Sequence, residues 1–126
     1  MGSFLGLISC TETGTTPAQY YDIPADRISV LQKEAIDGNG EAAWQLAHYY
    51  TFSKPDKNKT LYWYKISAND GYAPGMYGYG SFLEMKADPE SKKQARYWFK
   101  KAKTSSDPRV SSLAADHLER LESGQQ

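Results

Sequence analysis

The sequence of 126 residues is poor in the residues that build metal sites, disulfide frameworks and membrane spans. Its single cysteine excludes an intramolecular disulfide, and its two histidines disfavour a histidine-rich metal site. No stretch approaches the ~18 consecutive apolar residues that a membrane span needs. Hydrophobic residues make up 40% of the chain and charged residues 24%, which favours one globular domain over a disordered chain. We therefore expect a folded domain without metal or cofactor.

The charge of the chain is balanced overall but unevenly distributed. Residues 1–50 contain six acids and two bases, whereas residues 51–126 contain nine acids and thirteen bases. The two parts therefore carry formal charges of −4 and +4, and the whole chain carries zero. A dipolar molecule of this kind is more typical of a protein that binds other proteins than of a nucleic-acid-binding protein, which is usually basic overall.

The N-terminal segment differs in composition from the rest of the chain. Leu7-Ile8-Ser9-Cys10 resembles a bacterial lipobox, and the resemblance implies that Cys10 is lipidated and anchors the protein to the outer membrane in the periplasm. The alternative is a leader without that role in a cytoplasmic protein. Thr11–Gln19 contains Thr, Gly and Pro and predicts a flexible tether. We accordingly divide the chain into a leader and tether, 1–21, and a folded domain, 22–126.

An internal repeat organises the folded domain. Trp63-Tyr64 recurs 35 residues later as Trp98-Phe99, and Ala42 and Ala47 recur 33 residues later as Gly75 and Gly80. The pattern predicts an all-α fold, a solenoid of αα-hairpins with about six helices in three antiparallel pairs. The predicted helices span 26–37, 41–51, 57–69, 73–86, 89–103 and 108–122.

The repeated residues resemble a known family. The pattern from Gly38 through Ala42 and Leu46 to Tyr50, followed by Trp63-Tyr64, is similar to a Sel-one-like repeat, a relative of the tetratricopeptide repeats. The similarity covers residues 26–122, although the second unit departs from the family pattern in its middle. It implies an α-solenoid that binds other proteins, and it does not identify the partner.

The aromatic residues divide into two groups. Those that recur with the repeat, including Trp44, Tyr64 and Tyr77, are predicted to pack the core. In related solenoids the first helix of each pair faces the concave side, and this predicts a partner-binding groove whose alternative is ordinary surface. The predicted groove residues are Gln45, His48, Tyr49, Phe52, Phe82, Met85 and Lys86.

Basic residues crowd one face of the helix predicted at 89–103. They recur at helical spacings opposite Ala95, Trp98, Phe99 and Ala102. A solvated helix face is the ordinary explanation, and docking of an acidic partner or of nucleic acid is the alternative. The basic residues are Lys92, Lys93, Arg96, Lys100, Lys101 and Lys103.

No motif in the sequence predicts catalysis. The glycines between Gly75 and Gly80 lack the preceding strand and the Gly-Lys-Ser/Thr ending of a phosphate-binding loop, and no G-x-S-x-G is present. We expect a non-enzymatic, monomeric interaction module. The resemblance favours an envelope-tethered immunity-type protein that binds and occludes a secreted toxic effector. The alternatives are a regulatory or scaffolding adaptor without a toxin partner, and a self-assembling structural piece.

Overall fold

The computed structural model describes residues 14–124 of the chain, and these residues form helices joined by short turns without any strand. A π-helical turn, Tyr49–Ser53, extends the third helix. In chain order the helices are α1 (Pro17–Tyr20), α2 (Ala25–Ile36), α3 (Gly40–His48), α4 (Lys57–Asn69), α5 (Ala73–Glu84), α6 (Pro89–Lys103) and α7 (Pro108–Glu122).

The ends of the helices follow from local chemistry. The side chains of Asp88 and Asp107 cap α6 and α7, and each is followed by a proline at the first helical position. Gly38 and Gly71 lie after α2 and α4 with φ of +110° and +83°, in a region where a side chain is strained. The glycines thus follow the end of a helix and the capping aspartates precede the start of one, as the sequence predicts.

Successive long helices pack against one another, which confirms the predicted all-α arrangement of neighbouring helix pairs. The odd-numbered helices α3, α5 and α7 also contact one another in order. We call the side of the molecule formed by these three helices the inner surface, and the exposed side of α4 and α6 the outer surface. This alternation is that of an αα-hairpin solenoid.

The buried positions repeat along the chain. Tyr64 and Phe99, 35 residues apart, are both buried, and so are Leu46 and Tyr79, 33 residues apart. Trp63 is buried and Trp98 is half-buried. The large side chains of one helix therefore occupy equivalent places in consecutive units, as the spacing of the two tryptophans predicts.

Helices α4 and α5 approach closely because the residues between them are small. A Cβ atom added at Gly75 would lie 1.9 Å from the Ser67 hydroxyl oxygen and 2.5 Å from its Cβ, so no side chain fits there. The Ser67 hydroxyl, which is fully buried, donates a hydrogen bond of 2.7 Å to the Gly40 carbonyl at the start of α3. One buried serine thus links three helices, and its partner satisfies the buried hydroxyl.

Two local features differ from the predicted elements. The segment predicted as a tether contains α1, in which the Thr16 hydroxyl accepts from the Gln19 amide and the Gln19 side chain accepts from the Thr16 amide. Tyr21, just after α1, stacks on Phe52 with ring centroids 5.0 Å apart. The second feature is the π-helical turn, where a helix to Thr51 was predicted. Both features lie at the first unit, at one end of the inner surface.

Candidate functional site

A groove of about 540 Å³ runs along the inner surface across α3, α5 and α7. Most of the side chains that line it are aromatic or apolar. Its volume lies in the range of ~300–1,000 Å³ that is usual for binding pockets. The lining residues are Trp44, His48, Thr51, Tyr64, Tyr72, Pro74, Tyr77, Gly78, Ser81, Phe82, Met85, Asp107, Arg109, Val110 and Leu113.

The helical period explains how these residues reach one surface. Trp44 and His48 are four residues apart in α3, and Gly78 and Phe82 are four residues apart in α5, so each pair shares a helix face. Gly78 leaves room for the Tyr64 ring of α4, because a Cβ atom at position 78 would lie 2.5 Å from that ring. Tyr64 therefore passes between α3 and α5 and forms part of the floor of the groove.

His48 is surrounded by aromatic rings. Its centroid lies 4.2 Å from that of Trp44 and 5.8 Å from that of Tyr64, and the Tyr21 ring lies at 4.8 Å. Its Nδ1 lies 3.2 Å from the Trp44 carbonyl oxygen, which selects the tautomer with a proton on Nδ1. Burial lowers the pKa of His48 below its ordinary value, and the hydrogen bond to Trp44 opposes this only in part. The groove therefore holds a neutral imidazole at neutral pH.

Several hydroxyl groups line the groove together with His48, and that of Tyr64 lies 3.4 Å from the His48 Nδ1. Burial raises the pKa of Tyr64 to about 12, so its hydroxyl keeps its proton at neutral pH. The Thr51 hydroxyl donates a hydrogen bond of 2.7 Å to the Ala47 carbonyl. The Ser81 hydroxyl oxygen is buried without a hydrogen-bond partner among the described residues, so no base contacts it. These groups provide polar contacts within a mostly apolar groove.

The charged residues of the groove lie at the start of α7. The Asp107 carboxylate accepts hydrogen bonds from the backbone amides of Arg109 and Val110, and it is therefore occupied as a helix cap. The Arg109 side chain is exposed and forms no ion pair with any residue between 14 and 124. This end of the groove consequently presents a guanidinium that is available to an acidic group of a ligand.

A hydrogen-bonded group behind the groove fixes Tyr77. The His117 Nδ1 lies 2.7 Å from the Glu84 carboxylate, and its Nε2 lies 3.0 Å from the Tyr77 hydroxyl. Donation from Nδ1 to Glu84 leaves Nε2 to accept from Tyr77, so one tautomer satisfies both contacts. The His117 ring also stacks on Phe99, with centroids 4.7 Å apart. This group joins α5 to α7 and holds the Tyr77 ring in the wall of the groove.

The structure brings together part of the predicted groove. His48, Phe82 and Met85 line it, as the sequence predicts. Gln45 instead lines a smaller cavity of about 160 Å³ beside Tyr21. Phe52 is exposed at the end of the inner surface, stacked on the Tyr21 ring.

Two further predicted groove residues also lie outside the groove. Tyr49 is only 6% exposed, because it shares a buried stripe of the helix with Ala42 and Leu46, seven and three residues earlier. Lys86 follows the end of α5, where its amide bonds the Leu83 carbonyl, and its side chain does not line the groove. We correct the predicted groove by leaving out these two residues together with Gln45 and Phe52, none of which lines it. The predicted lipidation residue, Cys10, lies outside the described residues.

Several lining residues are not predicted from the sequence, because the aromatics that recur with the repeat are expected in the core. Trp44 and Tyr77 are half-buried and contribute to both the core and the groove, and Tyr64 is buried yet reaches the groove floor. The four-residue spacing of Trp44 and His48 was a usable signal, whereas the contribution of α7 was not visible in the repeat. Within residues 14–124, no cluster of three His, Cys, Asp or Glu side chains is arranged to hold a metal ion.

Part of the chain is similar in sequence to a protein of Escherichia coli. The chain is 32% identical over 66 residues to the uncharacterized protein YibG of Escherichia coli strain K12. The matched segment covers 52% of this chain and 43% of that protein, so the chain matches less than half of its relative's length. No family model matches the sequence. No solved structure matches it significantly.

A helix that crosses a membrane needs about 20 predominantly apolar residues. Between residues 14 and 124, no helix combines the necessary length with the necessary apolar content.

Proposed function

We propose that this protein is a non-enzymatic interaction module that binds another protein through the groove of its inner surface. The observation that carries this proposal is the lining of the groove, in which tryptophan, tyrosine, phenylalanine and methionine side chains from three helices converge. Such residues are enriched at protein interfaces and supply most of their binding energy. The unactivated hydroxyls of Thr51 and Ser81 favour binding over catalysis.

The chemistry of the groove supports a partner segment of a particular composition. Its walls are apolar, and its one basic group, Arg109, lies at one end. A partner segment that fits presents large apolar side chains to Trp44 and Phe82 and an acidic side chain to Arg109. The imidazole of His48, neutral and ringed by aromatic groups, belongs to the apolar part.

A secreted toxic effector is the partner that we favour, and the chain would then act as an immunity-type protein that occludes it. The support is the resemblance to Sel-one-like repeats and the lipobox-like sequence ending at Cys10, which would retain the protein at the cell envelope. An adaptor without a toxin partner is the second candidate. Expression of the neighbouring gene product in the periplasm, with and without this protein, distinguishes them: toxicity relieved by the protein supports the immunity role, and harmless expression favours the adaptor.

Site-specific photocrosslinking in the native host tests the groove itself. A photoreactive residue replaces Leu113, which lines the groove and is 40% exposed, or Tyr97 on the outer surface as the matched control. We expect a defined crosslinked protein from position 113 that disappears when Phe82→Ala is added and that is not formed from position 97. Crosslinks that are unaffected by Phe82→Ala would contradict the proposed groove.

A further inference from the structure

The outer surface carries most of the basic residues of the molecule. Helices α4 and α6 contain nine of the fifteen lysines and arginines and only one of the fifteen acids, Glu90. Seven of the nine are exposed and two are half-buried. Among residues 14–124, no acidic side chain forms an ion pair with any of them. The nine are Lys57, Lys59, Lys65, Lys92, Lys93, Arg96, Lys100, Lys101 and Lys103.

Two exposed tyrosines lie among these cations at equivalent places. Tyr62 is 52% exposed and Tyr97 is 54% exposed, and they are 35 residues apart. Each packs edge-on against the tryptophan that follows it, with centroids 4.9 Å apart in α4 and 5.1 Å apart in α6. Lys65 and Lys100, three residues after the tyrosines, are also 35 residues apart and are both exposed. The outer surface therefore repeats a unit of one propped tyrosine and one lysine on the same helix face.

We propose that this outer surface binds the face of an anionic lipid membrane. Lysines near an anionic bilayer are attracted by its negative surface potential, and tyrosine is enriched at the level of the headgroups. The edge-on tryptophans hold the tyrosine rings outward at a fixed place. Lys101 lies 5.5 Å from the centroids of both the Tyr97 and Trp98 rings, so its charge stays beside the ring that would enter the headgroup layer.

The details of the surface favour a membrane over other anionic partners. Eight of the nine cations are lysines and one is arginine, so the surface largely lacks the guanidinium fork that binds a single phosphate in a bidentate manner. None of the nine lines the groove or the smaller cavity, so the basic surface does not coincide with the pockets in which a protein partner's side chains would anchor. A bilayer needs charge and interfacial aromatic residues but no pocket. This inference does not depend on the function proposed for the groove.

Vesicle flotation tests the proposal with the full chain, which carries Cys10→Ser in every form so that no acyl group contributes. The probes are vesicles of phosphatidylcholine with and without phosphatidylglycerol. We expect binding only to the anionic vesicles, and we expect that binding to weaken as salt shortens the screening length. The outer variant, Lys65→Gln with Lys93→Gln and Lys100→Gln, should bind about 100-fold more weakly, since each lysine near the surface contributes ~1 kcal/mol.

The matched control removes the same net charge from other places: Lys33→Gln with Lys54→Gln and Lys86→Gln. We expect it to bind anionic vesicles nearly as well as the parent. An equal loss in both triple variants would show that only net charge matters and would overturn the proposal. Tighter binding to a single-stranded oligonucleotide or to polyglutamate than to anionic vesicles would assign the surface to nucleic acid or to an acidic protein, and would overturn it as well.

A second variant tests the tyrosines. Tyr62→Ala with Tyr97→Ala should remove the part of the vesicle binding that survives at high salt, while the melting temperature stays close to that of the parent because both side chains are more than half exposed. Unchanged binding at high salt would overturn the part assigned to the tyrosines.

Discussion

The inner and outer surfaces of this solenoid are formed by the same repeating units. They differ in whether equivalent positions carry the same side chain. On the outer surface an exposed tyrosine and an exposed lysine recur from unit to unit, with Tyr62 matched by Tyr97 and Lys65 by Lys100. On the inner surface the equivalent positions differ, since Trp44 is matched by Tyr77. His48 and Ser81 also occupy equivalent positions and are residues of different type.

This difference suggests two kinds of ligand. A surface that presents the same group at each unit suits a ligand that is uniform along its length, such as a bilayer. A surface whose groups change from unit to unit suits one particular partner, because each position then contributes its own selectivity. In the core between the two surfaces, the packing of buried side chains maintains the repeat.

The largest effect is expected at the core position where the two units are most alike. Trp63→Ala should lower the free energy of unfolding by ~3–5 kcal/mol, since the side chain is buried and leaves a large cavity. Trp98→Ala should cost less, because Trp98 is only half-buried. Urea unfolding of both variants measures the two values. A greater loss from Trp98→Ala would show that the two units do not share the packing described above.

The next largest effect on stability is expected at the small residues where neighbouring helices approach closely. Gly75→Ala should destabilise the protein by ~1–3 kcal/mol, because its Cβ would overlap the Ser67 side chain. The equivalent residue of the first unit is already Ala42, and Ala42→Gly should lose only ~1 kcal/mol from helix propensity in addition to a small packing loss. Thermal and urea unfolding provide the comparison. If Gly75→Ala raised stability by ~1 kcal/mol, as helix propensity alone predicts, the close contact would not limit this position.

The inner and outer surfaces are separated by their effects on partner binding. Once the crosslinked partner is purified, Phe82→Ala should weaken its binding by ~2 kcal/mol, about 30-fold, because the ring lines the groove. Tyr97→Ala, on the outer surface, should leave that affinity unchanged. Titration calorimetry measures both. Loss of affinity from Tyr97→Ala with none from Phe82→Ala would exchange the roles of the two surfaces.

Tyr49→Ala, by contrast, should lower the stability of the fold, because Tyr49 is buried.

The smallest effect is a pH dependence at His48. Burial lowers its pKa in the folded state, so the folded protein binds fewer protons at this site than the unfolded chain. The resulting stability is fully present above the ordinary pKa of 6.5 and is lost as the pH falls below that value through the lowered pKa of the folded state. His48→Gln should therefore flatten the decline of unfolding free energy between about pH 7 and about pH 5. Equal pH profiles for the two proteins would contradict this account.

Much of the fold could be predicted from local patterns. The caps at Asp88 and Asp107 and the glycines at 38 and 71 fixed the helix ends, and the recurrence of Trp63-Tyr64 fixed the register of the units. The candidate site was predicted less well. Assignment of the groove to the first helix of each pair correctly predicts that His48 lines it, but it also predicts Tyr49, whose spacing from Leu46 already indicates the core.

The amino-acid sequence by itself determined where the helices begin and end and that successive helices pair. Capping, glycine placement and apolar spacing are properties of neighbouring residues. Only the tertiary structure decided that Tyr64 reaches the inner surface past Gly78. It also decided that Arg109 of the last helix borders the same groove as Trp44. These placements depend on how closely the helices approach one another, and that approach is set by side chains that are far apart in the sequence.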